Sequence, residues 1–282
     1  MGGAMAATLG RAGFDVVVWN RDATKADRVG AEAGARVAES AAAAASQADV
    51  VITSLADDEA VRAVYLGDAG VVAGIRAGAV AVDTSTVDPE TQRAVGAAID
   101  ATGAGFLDCP VSGDVSRVQV GALTIMVGGD PALLERVRPV LEALAARIIH
   151  VGARGAGAAT KLAVNALVHG LNVSLSEAVV LAEKAGVDRS IAYEVFASGA
   201  GGAPYVHYKR AAFADPDAAT VAFSINLVAK DLVLITGLGE RVGAPMRQAT
   251  TGLDIVRRAI AGGYGERDLS AIAAFLREEG AR

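Results

Sequence analysis

The chain has 282 residues, enough for one large or two medium domains that each bury a core. A net charge of −6 gives no basic field for nucleic acid or anionic lipid. One cysteine, Cys109, excludes an internal disulfide framework, and with three scattered histidines it points to no metal site and to a reducing, cytoplasmic setting.

The first stretch, MGGAMAATLGRAGFDVVVWNR, reads as a helix, a turn at Gly13 and an apolar strand. That is the second half of a dinucleotide-binding βαβ unit, which begins with a strand and a G-x-G turn. Met1 therefore reads as internal to a longer motif. An absent central strand would forfeit on the order of 10 kcal/mol of burial, so the chain as given is expected to be fragile. It is also expected to hold a dinucleotide weakly, through the helix N-terminus near Gly2 and Gly3. Where such a unit usually carries an acid for the ribose 2′-hydroxyl of NAD, this chain has Asn20 and then Arg21. A neutral amide beside a guanidinium accepts a 2′-phosphate, so NADP is favoured, with NAD possible.

Up to about residue 150, apolar runs rich in Val and Ile (ADVVITSLA, GAVAVDTS, AGFLDCPV, TIMVGG, RIIHVG) alternate with helical stretches (ATKADRVGAEAG, DDEAVRAVYL, DPETQRAVGAAIDATG, DPALLERVRPVLEALA). The alternation predicts a parallel sheet covered on both faces. Asp57, Asp58, Asp88-Pro89-Glu90 and Asp130-Pro131 mark helix starts. The longest weakly polar run, VAESAAAAASQADVVITSLA, is alanine-rich and broken by charge, so no membrane span is expected there.

After Gly157 the strand signal stops. Residues 158–186 read as one long helix of about 40 Å, apolar nearly all round and so expected to be buried by several partners. RSIAYEVFASG, VAFSINLVAKDLVLITGLGERVG, PMRQATTGLDIVRRAIAGG and LSAIAAFLREEG continue the helical pattern. The expected architecture is an α/β Rossmann-type domain over 1–151, its first strand apparently missing, and an all-α domain over 152–282, linked by the long helix.

Lys161 and Asn165 stand four apart on one face of that helix among Ala, Leu and Val. Such groups are costly in an apolar setting unless they face a polar site, where a lysine can serve as general acid or base. A lysine snorkelling at a helix start fits this segment as well. Ser112 and Gly113 follow an apolar strand, where an open α/β sheet places its ligand, although an ordinary turn has the same composition. Lys230 and Asp231 read as an exposed charged pair on a helix.

Five segments in order, MGGAMAATLGRAG, DTSTVDPET, PVSGDVSRVQVGALTIMVGG, GAGAATKLAVN and FSINLVAKDL, resemble the β-hydroxyacid dehydrogenase family over nearly the whole chain. That family comprises 3-hydroxyisobutyrate dehydrogenase-like enzymes whose second domain is of the 6-phosphogluconate dehydrogenase type. The resemblance implies reversible hydride transfer between a nicotinamide and the carbinol carbon of a small hydroxyacid or aldehyde. It implies that Lys161 is catalytic with Asn165 beside it, and that Ser112 and Gly113 hold the substrate carboxylate. Leu55 and Ala56 would line the cofactor, Thr86, Phe223 and Lys230 would lie near its nicotinamide half, and Asp231 would close the substrate side. The family's usual S-G-G is here Ser112-Gly113-Asp114, and the acid shifts expectation toward a bulkier, neutral or cationic substrate. A homodimer or homotetramer is implied. The competing readings are an imine reductase on the same fold, against which Lys161 argues, and a non-catalytic, degenerate family member.

Overall fold

The computed structural model describes residues 1–216 and 218–280; Asp217, Ala281 and Arg282 lie outside it. The chain divides into two compact units, Met1–Lys161 and Leu162–Arg282.

In the first unit the elements are α1 (Gly2–Arg11), β1 (Val17–Val18), α2 (Ala23–Ala33), β2 (Arg36–Val37), α3 (Ala41–Ala45), β3 (Val50–Thr53), α4 (Asp58–Leu66), α5 (Val71–Gly74), β4 (Val80–Asp83), α6 (Pro89–Asp100), β5 (Gly105–Asp108), β6 (Val111–Ser112), α7 (Val115–Gln119), β7 (Leu123–Gly128), α8 (Pro131–Glu142), β8 (Ala145–Gly152) and the head of α9 (Ala156–Lys184). The helix starts follow local chemistry. The side chains of Asp22, Ser40, Asp57, Asp88 and Asp130 each accept from a first-turn N–H, and Pro89 and Pro131 occupy a position whose N–H has no helical partner to lose.

β3, β4 and β5 run parallel, from Val50, Val80 and Gly105 to Thr53, Asp83 and Asp108. The all-parallel expectation fails beyond β5. β6 follows β5 after only Cys109 and Pro110, too short a link for a parallel crossover, and it pairs antiparallel with β7; β5 also meets β7 antiparallel, while β8 joins β7 in parallel. The apolar run from Phe14 to Asn20 keeps only Val17 and Val18 as strand. Its ladder partner is the two-residue β2, and this pair stands as a separate sheet. Two cores cover the larger sheet: Met5, Leu9, Val80, Val82, Leu107 and Ile125 belong to one, Tyr65, Ala81, Val95, Ile99 and Phe106 to the other.

The second unit holds the rest of α9, α10 (Arg189–Ser198), α11 (Pro204–Ala214), α12 (Ile225–Val242), α13 (Arg247–Ala261), a 3-10 turn (Leu269–Ala271) and α14 (Ile272–Glu279). Leu162, Val173, Val179 and Val180 of α9 share a core with Val228, Leu232 and Ile235 of α12 and with Leu253 and Val256 of α13. The long helix is not buried all round as its composition suggests. Leu167 and Leu181 are exposed, and the buried face carries the polar residues Asn165, His169, Asn172 and Ser176 at helical spacing. By length and hydropathy α9 would suffice to cross a bilayer, yet Asn165, His169 and Asn172 each bond to a neighbouring helix or turn and Ser176 to the carbonyl of Asn172, which makes it the core helix of this unit.

Candidate active site

The parallel strands end in buried polar chemistry. Asp83, the last residue of β4, accepts hydrogen bonds from Thr53 Oγ1 at 2.6 Å, Ser85 Oγ at 2.7 Å and Gln92 Nε2. Burial pushes its carboxyl up from the usual range, and the hydrogen bonds from Thr53, Gln92 and Ser85 oppose that rise. Ser85 Oγ in turn accepts the N–H of Leu55 at 2.9 Å. The network thus locks the loop bearing Leu55 and Ala56 to the loop that continues into Thr86, at the carboxyl ends of β3 and β4, where an open sheet of this kind binds its ligand.

One strand over, Asp108 ends β5. Its Oδ1 accepts the N–H of Gly155 at 2.8 Å and its Oδ2 that of Ala158 at 2.9 Å, which caps the head of α9. Burial raises its carboxyl, with the two N–H donors acting in the opposite direction. Gly157 is required at this junction, because a Cβ there would stand 2.5 Å from Asp108 O and 2.7 Å from Met126 O. Two chain directions leave this clamp. Forward from Asp108, β6 ends at Ser112, which is half-buried and opposite Thr124 of β7. Gly113 follows at φ 129°, a region that disfavours side chains. Forward from Ala158, one turn of α9 reaches the half-buried Lys161.

Asp114, the departure from S-G-G, is the N-cap of α7. Its carboxylate accepts Arg117 N at 3.1 Å and Ser116 Oγ. Desolvation opposes its ionisation, but the donors from Ser116 and Arg117 outweigh this and hold it below the ordinary carboxylate value. The acid therefore has a local structural task, and it remains ionised at neutral pH.

In the second unit Asn165, Lys230 and Asp231 converge. Asp231 is fully buried, which corrects the reading of Lys230 and Asp231 as an exposed pair: Val228, Asp231, Leu232 and Ile235 share the inner face of α12. Asp231 Oδ2 accepts Asn165 Nδ2 at 2.5 Å and His169 Nε2 at 3.2 Å, and Oδ1 pairs with Lys230 Nζ at 2.8 Å. Desolvation works against the charge, yet the His169 hydrogen bond and the Lys230 ammonium prevail and hold the carboxyl below its ordinary value. The half-buried Phe223 lays its ring 5.8 Å from that of His169, inclined by 32°. Its backbone is held by Asp268, which accepts Ala222 N and Phe223 N, Ser270 N and Oγ, and both contacts of the buried Lys209 at 2.9 Å.

The sequence reading missed His169, Asp108, Lys209 and Asp268. His169 had a signal, since it continues the spacing of Lys161 and Asn165 along one face. An acid at the end of an apolar strand, such as Asp108, has none.

At the other end of the first unit, α1 starts without a side-chain cap or an acid in its first turn, unlike the helices capped by Asp or Ser. A Cβ on Gly2 would meet Ser54 Cβ at 3.3 Å, so the glycine keeps the space between the helix head and the end of β3 open to a close approach. Asn20 Oδ1 accepts the N–H of Asp22 at 2.9 Å, and Arg21 is exposed. A helix start without a side-chain cap and an exposed guanidinium fit the phosphates of a dinucleotide.

Both halves of the chain match family models. Residues 1–152 match the NAD binding domain of 6-phosphogluconate dehydrogenase, and residues 155–276 the NAD-binding domain of NADP-dependent 3-hydroxyisobutyrate dehydrogenase. The NAD-dependent L-serine dehydrogenase of Pseudomonas aeruginosa is 34% identical over 96% of this chain and 93% of its own length. Glyoxylate/succinic semialdehyde reductase 2 of Arabidopsis thaliana is 33% identical over 98% of this chain and 77% of its own. The structure of Mycobacterium tuberculosis 3-hydroxyisobutyrate dehydrogenase with L-serine superposes with a TM-score of 0.87 at 35% identity, covering 98% of this chain and 96% of that one. A Rossmann-type domain followed by a helical domain, each matching a nicotinamide-dinucleotide binder, defines an NAD(P)-dependent oxidoreductase acting on CH–OH groups. The chain belongs to the β-hydroxyacid dehydrogenase family.

Proposed function

We propose that this enzyme interconverts a small 3-hydroxyacid and its semialdehyde with NADP(H), using Lys161 as the proton-transfer group. The observation that carries this reading is the Asp108 clamp, which fixes the strand leading to Ser112 and Gly113 to the helix head leading to Lys161. The Ser112 hydroxyl and Gly113 N–H bind the substrate carboxylate. When bound, the nicotinamide supplies a hydride acceptor or donor at its ring carbon. Lys161 takes the hydroxyl proton as the carbinol carbon loses hydride, returns it in reduction, and stabilises the developing alkoxide with its charge. Asn165, on the next turn, orients Lys161 and the substrate. Asp231 closes the substrate side, and Leu55, Ala56, Thr86, Phe223 and Lys230 line the cofactor. Gly2 and Gly3 face its pyrophosphate, with Asn20 and Arg21 at the ribose phosphate.

The ionised Asp114 beside the carboxylate cradle favours a substrate with a neighbouring ammonium, so L-serine is preferred to 3-hydroxyisobutyrate. The exposed apolar face of α9 supports a homodimer or homotetramer, and the acidic, cysteine-poor composition supports a cytoplasmic enzyme without nucleic-acid or membrane partners.

The test is NADP(H)-linked turnover on L-serine, 3-hydroxyisobutyrate, glyoxylate, succinic semialdehyde and a cyclic imine. The wild-type chain should act on the hydroxyacids and semialdehydes and not on the imine. Lys161→Ala should abolish turnover while NADP+ affinity stays within about tenfold of wild type. Retention of most activity by this variant would refute the assignment.

A further inference from the structure

Asp231 is a fully buried carboxylate, and such a group persists only where donors converge on it. Asn165 and His169 both donate to Oδ2, while Lys230 meets Oδ1. Asn165 and Lys230 are already placed in the site by the proposed function; His169 is not. It lies one turn beyond Asn165 on the same buried face of α9 and is itself buried. A carboxylate can only accept, so the imidazole hydrogen is on Nε2. Nδ1 makes no hydrogen bond among the described residues, and the Phe223 ring lies against the imidazole. A histidine kept only for core packing would not need its one hydrogen bond directed at the carboxylate on which two site residues meet.

We propose that His169 is a positioning residue of the active site: its Nε2–H fixes the Asp231 carboxylate in the orientation that gives Oδ2 to Asn165 and Oδ1 to Lys230. This rests on the reading of Asn165, Lys230 and Asp231 as site residues. Without His169, Oδ2 would be held by the Asn165 amide alone. The carboxylate could then turn about its side-chain torsion and carry both Asn165 and Lys230 out of alignment. The titratable groups facing Asp231 are Lys230 from its own helix and His169 from α9, so removing the imidazole donor also removes a group that favours the ionised acid.

The test compares His169→Leu, which fills similar space without a donor, with His169→Gln, which restores an amide N–H at similar reach. Two readouts on the full chain are needed. One is the titration of the Asp231 side-chain carboxyl by carbon NMR, assigned with Asp231→Asn. The other is kcat and KM against pH with NADP+ and L-serine. His169→Leu should raise the Asp231 midpoint by about one pH unit. It should also lower kcat about tenfold with KM for NADP+ within about twofold, and His169→Gln should recover most of both effects. If His169→Leu titrates and turns over like wild type and only its melting temperature falls, the histidine is a packing residue and the proposal is wrong. If wild type shows no NADP-linked turnover on L-serine or any other hydroxyacid or semialdehyde of the panel, the functional reading fails, and the carboxyl titration alone then decides whether His169 positions Asp231.

Discussion

Arg21 leaves β1 exposed and makes no ion pair among the described residues, while its neighbour Asn20 turns its amide oxygen back to the N–H of Asp22. An uncommitted guanidinium beside a neutral side chain is free to bind a dianionic phosphate, and the neighbouring Asp22 carboxylate is engaged as the N-cap of α2, accepting the N–H of Lys25. Arg21→Ala should therefore raise KM for NADPH by about tenfold and leave KM for NADH within about twofold, measured at saturating second substrate. Equal changes for both cofactors would remove Arg21 from the phosphate site. At this scale the burial of a polar residue was readable where it interrupts an apolar pattern, as Asn165 does, buried against the Asp231 carboxylate. It misled at Asp231, because adjacent Lys and Asp on a helix usually share the solvent face. Here the helix is rotated so that Asp231 joins the row of Val228, Leu232 and Ile235, and Lys230, half-buried, brings its ammonium to the carboxylate.

The element that the sequence concealed is α11. Its buried row, Tyr205, Val206, Lys209 and Phe213, has helical spacing, but the lysine in it disguises an inner face as an outer one. Lys209 can occupy that row because Asp268 accepts both of its contacts and ties α11 to the turn before α12 and to the 3-10 turn. Two-residue strands such as β2 and β6 were equally illegible, since so short a segment has no period. Helices opened by Asp-Pro, namely α6 and α8, were legible from their caps. Desolvation opposes the charge of Asp268, but the Lys209 and Ser270 donors hold its carboxyl below the ordinary 3.8. An acid depressed on folding contributes stability that is present above the unfolded value and is lost as pH falls through the folded one. Asp268→Asn should therefore flatten the loss of stability below about pH 5. Lys209→Met, which leaves the buried carboxylate without its cation, should cost about 3 kcal/mol at neutral pH. Urea unfolding at several pH values measures both. Wild-type pH dependence in Asp268→Asn would show that the pair does not couple to acid unfolding.

Over the whole molecule, the change from alternating strands and helices to helices alone was plain in the sequence, while the mixed sheet was not, because Cys109-Pro110 resembles the end of any buried strand. The partial exposure of α9 was also hidden, since an apolar composition does not say which partner covers each face. Leu167 and Leu181 lie on that exposed face. If it joins copies in the proposed oligomer, Leu167→Glu with Leu181→Glu should convert the assembly to monomers in light scattering after gel filtration, with the helical circular dichroism retained. A wild-type chain that is monomeric at micromolar concentration would dismiss the interface. The Asp108 clamp has a further meaning for how this scaffold can diversify. Because one carboxylate sets where both the Ser112 arm and the Lys161 arm begin, the span between the two positions that the proposed function assigns to carboxylate binding and proton transfer is a fixed gauge. Under the proposed function, new substrates are accommodated by changing what stands beside the gauge, as Asp114 does beside Gly113. Gly157 beside the clamp is held to glycine by backbone atoms, Asp108 O and Met126 O, so no change of side chain at position 108 would by itself admit a larger residue there.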